Sequence, residues 1–124
     1  MAESKIYISG KISALPINEA INNFNNAEEY LKQKYFYIGA QIVNPFKLDH
    51  SKAEELKRRQ LDPAVPDNEK PTEHEVWAAY MEVDCGALLT CDGIYMLKNW
   101  AESKGARIEY VIAQELGLTI EYER

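Results

Sequence analysis

Apolar and polar positions alternate with period two over Lys5–Ser9, KIYIS, placing Ile6 and Ile8 on one face and Tyr7 on the other, and the run stops at Gly10. That pattern predicts a strand with Tyr7 near its carboxyl end. Over residues 16–34 the period lengthens: Ile17, Ala20, Ile21, Phe24, Ala27 and Leu31 form an apolar stripe, with Asn and Glu on the remaining positions. This is an amphipathic helix. Residues 35–43, YFYIGAQIV, are β-like and halt at Asn44-Pro45. Strand, helix and strand in this order imply a right-handed crossover between parallel strands.

Residues 47–72 break the pattern with clustered Lys, Arg, Glu and Asp and with prolines at 63, 66 and 71. A short helix over 53–60 followed by a Pro-rich loop fits this insertion, which reads either as a mobile cover over a ligand crevice or as a solvated excursion. Lys57, Arg58 and Arg59 fit a solvated helix face. Over 73–89 Trp77, Tyr80, Met81, Asp84 and Leu88 lie along one side of a second strong helix. An acidic side chain on such a stripe is costly unless paired or functional, which singles out Asp84.

Residues 93–97, opened by Asp92 and closed by Lys98-Asn99, form a short apolar run suited to a strand buried on both faces. Ser103 then suits an N-cap, Ile108, Val111, Ile112 and Leu116 recur at helical spacing, and Gly117 suits a C-cap. Residues 118–123 read as an edge strand. At least four strands alternating with three strong helices predict an α/β open sheet, in which ligands bind outside the carboxyl ends of the strands.

Composition narrows the partners. At 124 residues the chain suits a single domain, and 46% hydrophobic with 27% charged residues is ordinary for a soluble globular protein. No apolar run is long enough to span a bilayer, and MAESKIYISG lacks a signal-peptide layout, so the expected setting is cytoplasmic, with no membrane partner. A net charge of −6 argues against a nucleic-acid polymer but leaves room for a small anionic ligand. Cys85 and Cys91 suit buried free thiols, and with His50 and His74 as the two histidines and no CxxC spacing no metal site is expected. The GKIS after the first strand lacks the earlier glycine and the following hydroxyl of a phosphate loop.

Candidate chemistry gathers at the last helix. Ser103, Gly105 and the free amides of the helix start would face the ligand crevice and favour an anion, and Glu109, four residues past Gly105, shares a helix face with it. Read from the residues alone, Glu109 suits an exposed amphipathic position as well as a site, and Tyr7 suits a core aromatic as well as a site hydroxyl.

Tyr7-Ile-Ser9-Gly10, the WxxYMxxD segment from Trp77 to Asp84, CDGIYML with Asp92, and SKGARIEY with Ser103, Gly105 and Glu109, followed by Ala113, together resemble the nucleoside 2-deoxyribosyltransferase superfamily. More narrowly they look like its small phage and bacterial branch, similar to 2′-deoxynucleoside 5′-phosphate N-hydrolases. The resemblance covers nearly the whole chain outside 47–72. It implies a three-layer α/β sandwich with a mainly parallel, Rossmann- or flavodoxin-like sheet of four to five strands, ordered 2-1-3-4 with a fifth left open. It implies cleavage of the N-glycosidic bond of a 2′-deoxynucleoside 5′-monophosphate without a cofactor. Glu109 would be the nucleophile, Tyr7 would orient it, and Asp84 would help protonate the departing base. Ser103, Gly105, Gly10, Ser9, Asp92 and Trp77 would bind substrate. Members carrying Asp at the position of Ser103 hold a 5′-hydroxyl, whereas those with Ser hold a 5′-phosphate. The resemblance further implies a homodimer or larger assembly, for which Trp100, Tyr35 and Tyr37 are candidate interface aromatics.

The chemistry is coherent by itself. Glycosidic cleavage passes through an oxocarbenium-like state and needs one ionised carboxylate by the sugar and one proton donor by the leaving group. Glu109 near a helix start and Asp84 among apolar neighbours divide those roles. Water or a second base then releases the sugar. A non-catalytic nucleotide-binding module of the same fold is the competing reading. A receiver-like signalling domain is poorly matched, since acids after the first strand are missing.

Overall fold

Side-chain alternation along β1 (Lys5–Ser9) sends Tyr7 into one apolar cluster and Ile8 into another, so the sheet has a packed core on each face. In the computed structural model, which describes residues 4–124, four parallel strands take the order β2-β1-β3-β4. The remaining strands are β2 (Gln41–Val43), β3 (Gly93–Met96) and β4 (Thr119–Tyr122), and the helices are α1 (Ile17–Lys34), α2 (Ser51–Leu61), α3 (Glu73–Leu88) and α4 (Lys104–Glu115). This is the three-layer α/β fold with the expected strand order. The Tyr7↔Ile94 and Ile94↔Ile120 pairings put β1 and β3 at the centre. All four residues of β3 are buried, as a strand covered on both faces requires.

Phe24, Ala27 and Leu31 of α1 pack with Ile8, Tyr95 and Leu97 on one face. On the other, Ala113 of α4 and Leu88 join Tyr7, Ile94 and Met96. Gly10 is buried between strand and loop, and a Cβ there would stand 2.5–2.8 Å from the Leu97 side chain. The requirement at this position is therefore lack of volume.

The chain divides into two compact units: the described residues through Lys47 together with Ala87–Arg124, and Leu48–Gly86. The second unit contains α2, which is longer than the helix expected over 53–60, and most of α3. Thr72 and Glu75 form a reciprocal cap at the start of α3: the Glu75 amide donates to Thr72 Oγ1 at 3.1 Å and the Thr72 amide to Glu75 Oε1 at 3.2 Å. Lys57, Arg58 and Arg59 are all exposed. Cys91 is a buried free thiol, whereas Cys85 is half-buried. No helix of the described residues is long and apolar enough to cross a membrane.

The expected strand over 35–43 is largely absent. Tyr35 closes α1, Phe36–Ile38 form a 3-10 turn, and Gly39 in the left-handed region (φ 63°) turns the chain into the three-residue β2. The β preference of aromatic residues reflects packing on a half-buried pleated surface, and Phe36, Tyr37 and Ile38 are exposed. Without such a surface the preference has nothing to act on.

After β2, Asn44 and Lys47 fold back onto α1 at Glu28. This carboxylate is 5% exposed and accepts from Asn44 Nδ2 at 3.0 Å, from Lys47 Nζ at 2.9 Å and from Lys32 Nζ at 2.6 Å. Burial acts to raise its pKa, but the bonds from Lys32, Lys47 and Asn44 outweigh that and hold it at about 2. A depressed carboxylate pKa contributes stability that is present above the unfolded value and is lost as pH falls toward the folded one. Glu28→Gln should accordingly flatten the decline in stability between about pH 5 and pH 2, by on the order of 2 kcal/mol after screening. Urea unfolding of both proteins across that range measures it, and parallel curves would contradict the assignment.

Candidate functional site

The helix bearing Glu109 has well-defined ends. Ser103 Oγ accepts the Ala106 amide at 3.1 Å as the N-cap. At the other end Gly117, at φ 69°, donates to the Gln114 carbonyl at 3.1 Å, and Leu118 to the Ala113 carbonyl at 2.9 Å. This paired closure needs a left-handed residue at Gly117. With both ends set, Ala106, Glu109 and Ala113 form the buried line of α4. The two alanines are small, so the helix lies close to the sheet and Glu109 reaches across to β1.

There Tyr7 Oη donates to Glu109 Oε2 and Ser9 Oγ donates to Glu109 Oε1, both at 2.7 Å. Tyr7 is fully buried, Ser9 is 1% exposed and Glu109 5%. The exposed reading of Glu109 is thereby overturned. Two-residue spacing puts both hydroxyls on one face of β1. Hydrogen bonds to an ionised acceptor are short and strong, worth about 1.5–3 kcal/mol each. A carboxylate has about four acceptor positions, and the two hydroxyl bonds fix the plane of this one. Ser9, expected to touch substrate, is bonded to Glu109.

The site lies at the carboxyl end of β1 beside β3, where the strand order reverses and ligands of open α/β sheets bind. Neighbouring loops are tied together here: the Leu97 amide donates to the Ser9 carbonyl at 2.8 Å, the Lys11 amide to Asn99 Oδ1 at 3.0 Å, and Lys11 Nζ pairs with Glu102 at 3.1 Å. Asn99 was not singled out by sequence pattern; its place directly after a buried strand was the available signal. Ser103 caps α4 and Gly105 lies in its first turn, so the expected anion-facing pair is adjacent to the helix amides. Gly10 adjoins Ser9, with the packing role given above. Asp92 departs from expectation. Its carboxylate accepts the Lys5 amide at 2.9 Å, at the amino ends of β1 and β3, so it joins two strands at the edge opposite Glu109 and does not face that crevice.

In the second unit Asp84 is 8% exposed, and its Oδ1 shares a 2.7 Å hydrogen bond with His50 Nε2. Burial pushes the Asp84 carboxyl above the usual range, and the His50 contact pulls it part of the way back. Sequence reading found the acid and missed its partner, although a buried acid needs one and the chain has two histidines. The His50 ring lies 5.2 Å from that of Tyr80. Trp77 is half-buried, 5.8 Å from the His74 ring.

The three candidate interface aromatics differ in their contacts. Trp100 stacks on Tyr110 at 4.6 Å, and the Tyr35 hydroxyl donates to Glu121 at 2.6 Å. Tyr37 is 96% exposed. No group of three or more His, Cys, Asp or Glu side chains able to hold a metal ion occurs among the described residues.

The family model described as a domain of unknown function (DUF4406) matches residues 4–122. No curated protein and no solved structure matches the chain. The match covers nearly the whole chain, and the protein belongs to the DUF4406 family.

Proposed function

We propose that the protein cleaves the N-glycosidic bond of a 2′-deoxynucleoside 5′-monophosphate, with Glu109 attacking the anomeric carbon. The observation that carries this reading is the buried Glu109 carboxylate, held by the Tyr7 and Ser9 hydroxyls at 2.7 Å where the strand order reverses. Attack by Oε forms a sugar–Glu109 ester as the C1′–N bond breaks and its electron pair goes to the base. Water, or a second base, then displaces the carboxylate.

The proton for the departing base is assigned to Asp84 by the family resemblance. Burial keeps its carboxyl above the usual range despite the opposing His50 contact, which suits a proton donor. Ser103 suits the 5′-phosphate: its Oγ accepts from Ala106 and retains a proton to donate, at the positive end of the α4 dipole. Incubation with the four deoxynucleoside monophosphates and chromatography for free base tests the reading. Tight binding without base release would support a non-catalytic binding module instead.

Ser103→Asp provides a sharper test of substrate class. Aspartate caps helices as well as serine does, so the fold should persist. A carboxylate beside a phosphate repels it, and kcat/KM for the monophosphate should fall at least about tenfold relative to the free nucleoside. An unchanged ratio would remove Ser103 from the phosphate site.

A further inference from the structure

On the α1 face of the sheet lies a cavity of about 730 Å³ between α1 and β4, lined by residues that include Asn26, Tyr30, Lys34, Tyr95, Glu121 and Glu123. Its origin is topological. The sheet ends at β4, and among the described residues α1 supplies the helical packing on that face. Tyr95 and its strand partner Glu121 therefore sit beside the flank of α1 with no further helix over them.

Tyr95 distinguishes this cavity from a surface irregularity. The residue is 5% exposed, yet its hydroxyl bonds to none of the described residues, whereas those of Tyr7 and Tyr35 are bonded. No sealed side-chain polar atom lacks a partner among the described residues. The Tyr95 hydroxyl must accordingly open onto the space it lines, as an unfilled donor and acceptor. Burial pushes its pKa up to about 12, so the proton stays in place at neutral pH.

The lining also restricts what binds. Lys34 pairs with Glu121 at 2.7 Å, and its ammonium lies 5.8 and 5.4 Å from the Tyr30 and Tyr35 ring centroids. Across the lining Lys34 and Arg124 balance Glu121 and Glu123, so the cavity makes no demand for an ion. Tyr30 is 48% exposed with its ring 5.8 Å from that of Tyr95, Asn26 offers an amide, and Glu123 offers the carboxylate oxygen not bonded to the Lys98 amide. The volume lies within the roughly 300–1,000 Å³ of small-molecule sites.

We propose that this cavity is a second ligand site, on the opposite face of the sheet from Glu109, that takes an uncharged planar heterocycle of the nucleobase type, stacked on Tyr30 and bonded to the Tyr95 hydroxyl. The assignment is independent of the glycosidase reading. Adenine is the probe, titrated into protein carrying ¹³C-labelled tyrosine and followed by NMR. The Tyr30 and Tyr95 ring signals should shift saturably, and should do so equally in Glu109→Gln. Tyr95→Phe should weaken Kd about three- to tenfold, and Tyr30→Ala by about tenfold or more. Unmoved Tyr30 and Tyr95 signals at millimolar adenine, or a Kd that neither substitution changes, would overturn the proposal.

Discussion

Glu109→Gln should lower base release from a deoxynucleoside monophosphate by at least about 10⁴-fold, the scale seen when a covalent nucleophile is removed. The amide is isosteric and cannot form the sugar ester. Stability should fall modestly, because the bonds from Tyr7 and Ser9 lose their charge assistance while the desolvation cost of the ion is removed as well. Loss of release in a variant that still unfolds cooperatively would separate chemistry from folding. Glu109→Asp adds a finer check: retracting the carboxylate by one methylene should cost about 10²-fold, as a misplacement of about 1 Å does. Base release by Glu109→Gln at the parent rate would remove the enzymatic reading and leave the buried carboxylate as a structural element.

Gly10→Ala should destabilise the protein by about 1–3 kcal/mol, the usual range for overpacking. The added methyl group would meet Leu97 at 2.5–2.8 Å, including its Cβ, which no rotamer change can move. A melting temperature lower by roughly 4–12 °C is the expected reading for a domain of this size. Leu97→Ala alone should cost about 2–5 kcal/mol through its cavity. In the double variant the new methyl group occupies part of that cavity. The combined loss should therefore fall short of the sum by more than about 0.5 kcal/mol. Strict additivity would show that the contact with the Leu97 Cβ, which alanine keeps, carries the whole cost at Gly10.

Alternation and helical period are local quantities, and they located β1, β3, β4 and the long helices because each element buries one face or both against its neighbours. End signals were local as well: Ser103 caps α4, and Gly117 closes it. The failure at 35–38 follows from the same logic. Aromatic residues favour strands where a pleated surface receives them, and whether that surface exists at Phe36–Ile38 depends on where the rest of the chain lies.

The chain by itself determined an α/β order of elements, the acidic balance, and the three side chains Tyr7, Asp84 and Glu109 as the ones to watch. Tertiary structure decided what each of them meets. Glu109 is buried because Ala106 and Ala113 bring α4 close to β1, a contact between residues about a hundred positions apart. Ser9 became a support for Glu109, Asp92 became a tie at the amino edge, and Asp84 acquired His50. Periodicity encodes which face of an element is covered; the identity of the group waiting on the other side is set by sheet order and register, which no local pattern contains.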